Sequence, residues 1–178
     1  NLVWDKFLPA CYTFPNEKKS NQHSSLNKTL KNLAIDGVAG NSTTFSEESY
    51  VNTSYTLNSN PLGFNSLKIS QASYEQPLEI SLTGDGKKIE FSAGYKFWIR
   101  ARSDFPNGLM MDLKNEPLAA VYAWEKSNIL NVKVCATETP FNFSIKFKFE
   151  RDDVNFNWVP NVGFDNKMNF DFTGKRDK

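Results

Sequence analysis

The sequence predicts an all-β protein, an antiparallel two-sheet β-sandwich for which a jelly roll is one option. Apolar residues stand at every second position from Phe141 to Phe149 and again from Val154 to Trp158, with polar residues between them. From position 50 onward, strand-like segments recur about every eight to twelve residues, separated by Gly, Asn, Asp and Pro, a pattern typical of sandwiches and barrels. We expect one domain over 1–178, with an irregular N-terminal segment, 1–47, packed on it.

The alternating passage predicts a β-hairpin with a fixed register. Its loop runs from Glu150 to Asp153, and a slip by one residue would turn the whole apolar set toward water. The apolar face must be covered, which is the reason for expecting a second sheet. The expected cross-strand pairs are Phe149 with Val154, Phe147 with Phe156, and Ile145 with Trp158.

The other elements are predicted in the same way. Asn16 to Thr29 indicates a loop, with a short strand or helical turn near Leu30 to Ile35. In the segment 115–126, helical spacing after Pro117 competes with a buried strand, and strand is favoured. The predicted strands are 50–57, 66–70, 78–82, 88–92, 95–102, 109–113, 129–136, 142–150, 154–159 and 168–173.

Composition excludes several classes of protein. The 178 residues include 21 basic and 20 acidic side chains, a net charge of +1, and the charges are mixed along the chain. Such a chain offers no basic surface for nucleic acid. The longest apolar run, around Leu118 to Ala123, is far shorter than the roughly 20 residues of a membrane helix, so we expect no membrane span.

Sequons and cysteines favour a secreted or extracellular-surface glycoprotein. The chain begins at Asn1 without a signal sequence, which fits a removed leader or an internal start. Cys11 and Cys135 are the only cysteines and predict one long-range disulfide, with two buried free thiols as the alternative. Four N-glycosylation sequons occur, at Asn27, Asn41, Asn52 and Asn142.

Catalytic and metal motifs are missing from the sequence. His23 is the only histidine and stands in a polar stretch, so histidine-based triads and zinc sites are not expected. The turns at Asp85–Gly86 and at 151–153 are acidic enough for calcium, but a solvated turn is the better interpretation. We expect no cofactor.

The segment from Tyr95 to Arg102 offers the best candidate binding face. Tyr95, Phe97, Ile99 and Ala101 take the inward phase, so the residues between them face outward. An exposed indole provides a flat surface for a sugar ring, and arginine provides donors for hydroxyls or carboxylates. Alternatively, Arg100 stacks on Trp98, or the N-terminal segment covers this face. The predicted binding residues are Trp98, Arg100, Arg102, Asp104 and Asn107.

The segment Phe91 to Arg100 resembles the Phe-x-x-Gly-x-x-Phe passages of galectin-like lectins. The His-x-Asn-x-Arg pattern that binds sugar in that family is absent, so the resemblance assigns no site residue.

These features predict a secreted or cell-surface, non-catalytic recognition module that binds glycan or another protein. One alternative is a jelly-roll carbohydrate-active enzyme, in which Glu79 and Glu90 would be the paired carboxylates. The other is a structural domain of a larger surface protein or viral particle.

Overall fold

The structure is a computed structural model that describes residues 3–7, 9, 20–105, 113–161 and 169–177. The chain divides into two compact units, 1–36 and 37–178. The first unit contains a π-helical turn, Val3–Phe7, and helix α1, Ser20–Lys31. The sequence predicts a loop for most of α1, because this polar helix lacks the wide apolar stripe by which a helix is recognised. Its apolar residues Leu26 and Leu30 are exposed.

The second unit is built of β-strands. It begins with a 3₁₀ turn, Glu47–Ser49. Ten strands follow in the described residues: β1 Thr53–Leu57, β2 Ser66–Ser70, β3 Leu78–Gly84, β4 Lys87–Tyr95, β5 Ile99–Phe105, β6 Leu113–Lys126, β7 Ile129–Ala136, β8 Asn142–Glu150, β9 Asp153–Pro160 and β10 Phe170–Arg176.

The strands form one sheet that closes on itself. Their order is β4-β3-β2-β1-β10-β9-β8-β7-β6-β5, and β4 also pairs with β6 in parallel through Gly94↔Val121 and Tyr95↔Tyr122. This pairing completes a ring of nine strands, while β5 pairs with the first part of β6 as a tenth strand. The two-sheet sandwich is therefore wrong. Alternation within a strand identifies its buried face, but the layer opposite can equally be the far wall of the same barrel.

The central hairpin has the predicted register. Phe149 lies opposite Val154, Phe147 opposite Phe156, and Ile145 opposite Trp158. The apolar side chains of both strands are buried. The segment 115–126 is strand, as favoured, within the longer β6.

The predicted strand 95–102 is broken in the structure. β4 continues through Tyr95, and β5 begins only at Ile99. Between them Lys96 takes a left-handed backbone conformation, with φ of 63°. The chain folds back so closely that a Cβ added at Gly94 would lie 2.3 Å from the Phe97 carbonyl oxygen, which leaves room only for glycine there. The predicted strand 109–113 falls outside the described residues except for its last position.

Side chains fill the interior of the barrel. The rings of Phe156 and Phe172 stack with centroids 4.4 Å apart. Phe147 and Trp158 are fully buried, and Trp124 is 1% exposed. The core residues of the other strands are buried to a similar degree, so this interior is packed like that of an ordinary globular domain.

Within the described part of the chain, no helix combines the length and the apolar character that crossing a membrane requires.

Candidate functional site

Two neighbouring grooves lie at one end of the barrel. Because neighbouring strands along the sheet are antiparallel, their connections alternate between the two ends. We call one of these the groove end: it carries segment 40–52 and the connections 71–77, 96–98, 127–128 and 151–152.

Segment 40–52 is fixed to β6 by a short β-bridge. The Asn41 N–H donates to the Trp124 carbonyl at 2.9 Å, and the Trp124 N–H donates to the Asn41 carbonyl at 2.8 Å. Gly40 makes this approach possible, since its φ is +144° and an added Cβ would lie 2.3 Å from the Trp124 carbonyl oxygen. The backbone of Trp124 therefore positions the segment that forms one wall of the larger groove.

Glu47 is a buried carboxyl group at the base of this end. It is 3% exposed and begins the 3₁₀ turn, in which its carbonyl accepts hydrogen bonds from the N–H groups of Tyr50 and Val51, both at 2.8 Å. Burial raises the pKa of the Glu47 carboxyl above its ordinary value of 4.5, against smaller lowering effects from the Thr44 backbone N–H and the Trp124 indole.

The carboxyl of Glu47 is not satisfied by these neighbours. Neither donor reaches the distance and angle of a hydrogen bond. Both carboxylate oxygens of Glu47 and the indole nitrogen of Trp124 are thus buried without a hydrogen-bond partner in the described residues. Buried polar atoms without partners are uncommon and costly, and they occur more often at functional positions than in plain cores.

Glu48 and Tyr74 form the rim between the grooves. The Tyr74 hydroxyl donates to Glu48 Oε1 at 3.3 Å. Coulomb repulsion from the Glu48 carboxylate raises the pKa of Tyr74, and Glu47 contributes in the same direction. Burial raises the pKa of Tyr122, and Glu47 again adds to the rise. Negative charge from this pair of carboxyls therefore reaches phenol groups on two sides.

A polar network fixes the loops around the grooves. The Asn52 side chain exchanges two hydrogen bonds with the backbone of Gln71, at 2.9 and 3.1 Å. The Gln71 side-chain amide donates to the Gln76 carbonyl at 2.7 Å and to the Tyr122 hydroxyl at 3.1 Å. That hydroxyl in turn donates to the Ser42 carbonyl at 3.2 Å. Both loops are thereby tied to β6.

The grooves differ in size and share their rim. The larger has a volume of about 720 Å³ and the smaller about 350 Å³. Phe45 is fully exposed and Tyr74 is 59% exposed, so both rings are available to a ligand. The larger groove is lined by Asn41, Thr43, Thr44, Phe45, Glu48, Tyr74, Trp124, Lys126 and Ser127, and the smaller by Glu47, Glu48, Val51, Asn52, Gln71, Ala72, Ser73 and Tyr74.

The predicted binding face is only partly assembled. Trp98 lies in the bend before β5 and is half-buried, while Arg100 and Arg102 are exposed on β5. Asp104 accepts hydrogen bonds from the Asn115 N–H at 2.7 Å and from Lys114 Nζ at 3.3 Å. Both donors lower the pKa of Asp104. Asn107 lies outside the described residues.

Arg100 and Arg102 do line a common groove on the outer wall, of about 770 Å³. Trp98 and Asp104 are not part of its lining, and the Arg102 guanidinium donates to the Asn115 carbonyl at 2.8 Å. The continuous indole and arginine surface is absent, because the bend at Lys96 leaves Phe97 exposed and Trp98 half-buried, while Arg100 and Arg102 keep the predicted outward phase. The groove is lined by Arg100, Ala101, Arg102, Pro117, Leu118, Thr137 and Glu138.

The predicted glycosylation sites differ in their surroundings. Asn27 is exposed on α1, and Asn41 is exposed beside the larger groove. The Asn52 side chain is engaged with Gln71 and its φ is 59°. Asn142 is half-buried at the start of β8. Use of these sequons stays a prediction.

The predicted disulfide is not found. Cys135 is a free, buried cysteine, and Cys11 lies outside the described residues. Burial raises the pKa of the Cys135 thiol, with Lys133 opposing the rise. Cys135 thus follows the alternative interpretation, a small buried side chain.

The carboxylates of the enzyme hypothesis lie on the outside of the barrel. Glu79 accepts a hydrogen bond from Ser92 at 2.8 Å, and Glu90 forms a salt bridge with Lys88 at 2.7 Å. Both are therefore paired with surface groups on the β3–β4 hairpin. Among the described residues, no cluster of His, Cys, Asp and Glu is arranged to hold a metal ion.

The residues of the groove end are absent from the predicted site. Phe45, Glu48 and Tyr74 lie in segments without regular periodicity, so strand patterns do not point to them.

Comparison with known proteins supports the fold. No protein-family model and no curated protein matches this chain. A fatty acid-binding protein in brain tissue of Drosophila melanogaster, solved without citrate inside, is 11% identical with a TM-score of 0.50, over 71% of this chain and 99% of that one. Secretory abundant heat soluble protein 4 from Ramazzottius varieornatus is 13% identical with a TM-score of 0.45, over 64% and 69% of the two chains.

The likeness to the fatty acid-binding protein shows a shared barrel fold. It overturns the predicted lectin-like sandwich, and with it the carbohydrate-binding module whose partner would be a glycan or another protein. That hypothesis placed binding on a sheet face or on end loops, and the predicted face is interrupted in the closed barrel by a break between β4 and β5. A location outside the cell stays a prediction.

Proposed function

We propose that this protein binds a small lipid-like molecule at the groove end of the barrel. The observation that carries the proposal is the groove of about 720 Å³ walled by Phe45, Tyr74 and Trp124. Pockets that hold small molecules usually have volumes of about 300 to 1,000 Å³ and combine aromatic walls with a few polar groups. The likeness of the fold to that of a fatty acid-binding protein supports the same class of ligand.

The ligand is placed at the end of the barrel because the described interior is occupied. Barrels that hold a ligand inside leave room between their inward-facing side chains. Here the inward side chains of β8 and β9 are 0 to 3% exposed, and their rings contact one another at ordinary stacking distances. An apolar ligand can contact the exposed rings of Phe45 and Tyr74 at a lower free-energy cost than displacing the packed side chains of the interior would require.

The polar groups of the groove favour a molecule with one polar end. Glu48 and Lys126 lie at its exposed edge, and the aromatic residues supply the apolar wall. Such a combination orients an amphipathic ligand, with its apolar part on the rings and its polar part near the charges.

Titration with the neutral fluorophore N-phenylnaphthylamine tests the proposal. We expect saturable binding to the wild type and a loss of affinity of about tenfold in Tyr74→Ala and in Phe45→Ala, because each removes an exposed ring from the groove. Phe97→Ala is the matched control, since Phe97 is 52% exposed at the same end but is not among the lining residues. Equal affinity in all four proteins would contradict the proposal.

A further inference from the structure

We infer that the ligand of this groove carries a cationic head group, an ammonium on an apolar chain. This inference rests on the proposed function and assigns the charge of the ligand at that site. It follows from Glu48 on the rim that the two grooves share and from Glu47, a buried acid that lines the smaller groove.

The carboxylate of Glu48 is the group that a head group would meet first. Glu48 is exposed and lines both grooves, so it is accessible from either side of the Tyr74 ring. Among the described residues, its one hydrogen bond comes from the Tyr74 hydroxyl to Oε1. A carboxylate has about four acceptor positions, so most of the acceptor capacity of Glu48 remains available to ammonium donors.

Glu47 lies behind Glu48 and adds a second, buried carboxyl. Its oxygens have no hydrogen-bond partner in the part of the chain that the structure describes, and they are shielded from water. The field of a shielded charge is screened less than that of an exposed one. Glu47, which lines the smaller groove, thus adds to the attraction for a cation at the shared rim.

The aromatic side chains favour the same sign of charge. The exposed faces of Phe45 and Tyr74 carry negative electrostatic potential and attract cations, most strongly where water is excluded. Lys126 is the one basic residue among the described lining residues of the two grooves. It is exposed and interacts with the neighbouring Glu125, whose pKa it helps to lower. Lys126 therefore offsets the two glutamates only in part, and a fatty carboxylate would meet net repulsion.

Three amphiphiles that share the same apolar chain and differ only in head group test the preferred charge of the ligand. Dodecylammonium, dodecanol and dodecanoate would each displace N-phenylnaphthylamine from the wild type, at concentrations below those at which they aggregate. We expect dodecylammonium to bind about tenfold more tightly than dodecanol, and dodecanoate to bind most weakly.

Two variants test whether the preference for dodecylammonium comes from the carboxyls of Glu48 and Glu47. In Glu48→Gln, and to a smaller extent in Glu47→Gln, dodecylammonium should lose its advantage over dodecanol. Asp85→Asn is the matched control, because Asp85 is an exposed acid in the β3–β4 turn at the opposite end. It should leave the preference unchanged.

The outcomes distinguish this inference from the proposed function. If dodecanoate binds as tightly as dodecylammonium, or if Glu48→Gln keeps the preference for the cation, the charge assignment is wrong while lipid binding stands. If none of the three amphiphiles binds and the fluorophore does not respond to Tyr74→Ala, the proposed function fails, and the inference fails with it.

Discussion

The interior of the barrel and its groove end use the same residue types for opposite purposes. In the interior, Phe156 and Phe172 stack on each other and are 3% and 2% exposed. At the groove end, Phe45 is fully exposed and Tyr74 is 59% exposed. Rings that contact one another stabilise the fold, whereas rings that face solvent are available to a ligand. The proposed function thus assigns stability to the interior and binding to the groove end.

The strands and the groove end also differ in the surroundings of their charged side chains. The strands direct their charged side chains outward, as in the salt bridge of Lys146 with Glu125 at 2.7 Å. At the groove end, Glu47 keeps a carboxyl group buried without a hydrogen bond from the described residues. The proposed function accounts for this arrangement, because local costs in stability are common where a protein binds a ligand.

The largest expected effect comes from opening a cavity in the interior. Phe156→Ala removes a ring that packs on Phe172 and Phe147, and we expect it to lower the free energy of unfolding by about 3 to 5 kcal/mol. Under conditions in which the variant is folded, affinity for N-phenylnaphthylamine should not fall. Urea unfolding measures the free energy of unfolding, and fluorophore titration measures affinity. If affinity fell together with stability, the interior and the groove end would not be independent.

Gly40→Ala should affect both stability and binding. The added Cβ would lie 2.3 Å from the Trp124 carbonyl oxygen, so segment 40–52 must move away from β6. We expect the free energy of unfolding to fall by about 2 to 3 kcal/mol and the fluorophore to bind more weakly.

Gly86→Ala is the control for backbone strain. Gly86 also has a positive φ, +74°, but an added Cβ meets nothing within 4 Å. Gly86→Ala should lower the free energy of unfolding by less than Gly40→Ala does, and its affinity for the fluorophore should equal that of the wild type. Equal effects of the two substitutions on binding would show that the contact of Gly40 with Trp124 does not position the groove.

Glu47→Gln should stabilise the protein at neutral pH by about 1 to 3 kcal/mol, because burial disfavours the charged carboxylate more than Thr44 and Trp124 favour it, and the substitution makes the group neutral. The folded-state pKa of Glu47 lies above 4.5, so the folded protein holds this proton more tightly than the unfolded chain. The contribution of protonated Glu47 to the free energy of unfolding is fully present below pH 4.5. It is lost as the pH rises through the pKa that Glu47 has in the folded protein.

Urea unfolding across this pH range provides the measurement. The difference between Glu47→Gln and the wild type should vanish in acid and grow toward neutral pH. A difference that does not depend on pH would show that the carboxyl of Glu47 does not titrate as a buried group.

The smallest effect is expected for Tyr74→Phe. It removes an exposed hydrogen bond of 3.3 Å to Glu48, so the free energy of unfolding should change by less than about 0.5 kcal/mol. The ring remains, and binding of the neutral fluorophore should persist. A marked loss of affinity would mean that the hydroxyl, rather than the ring, holds the ligand.

Sequence patterns predict the walls of the barrel better than its closure or its site. The alternation from Phe141 to Trp158 gives the correct register, because burial of one strand face dictates it. Closure depends on the pairing of Gly94 with Val121, a long-range contact without a local pattern. The break at Lys96 follows from a close backbone approach at Gly94, which strand alternation does not reveal.

The candidate site is hidden from sequence patterns for a related reason. Phe45, Glu48 and Tyr74 belong to two loops joined through the hydrogen bonds of Gln71 with Asn52 and Tyr122. Loop residues lack periodicity, and only the fold brings them together. The strand around Trp98 has the clearer pattern, which is why the sequence points to that face instead.

Mapping bound N-phenylnaphthylamine by backbone amide chemical shifts tests the central claim most directly. We predict shifts confined to residues 41–48, 72–74 and 124–127, with little change along β8 and β9. Shifts concentrated at the inward-facing positions of β8 and β9 would place the ligand inside the barrel and contradict the assignment of binding to the groove end.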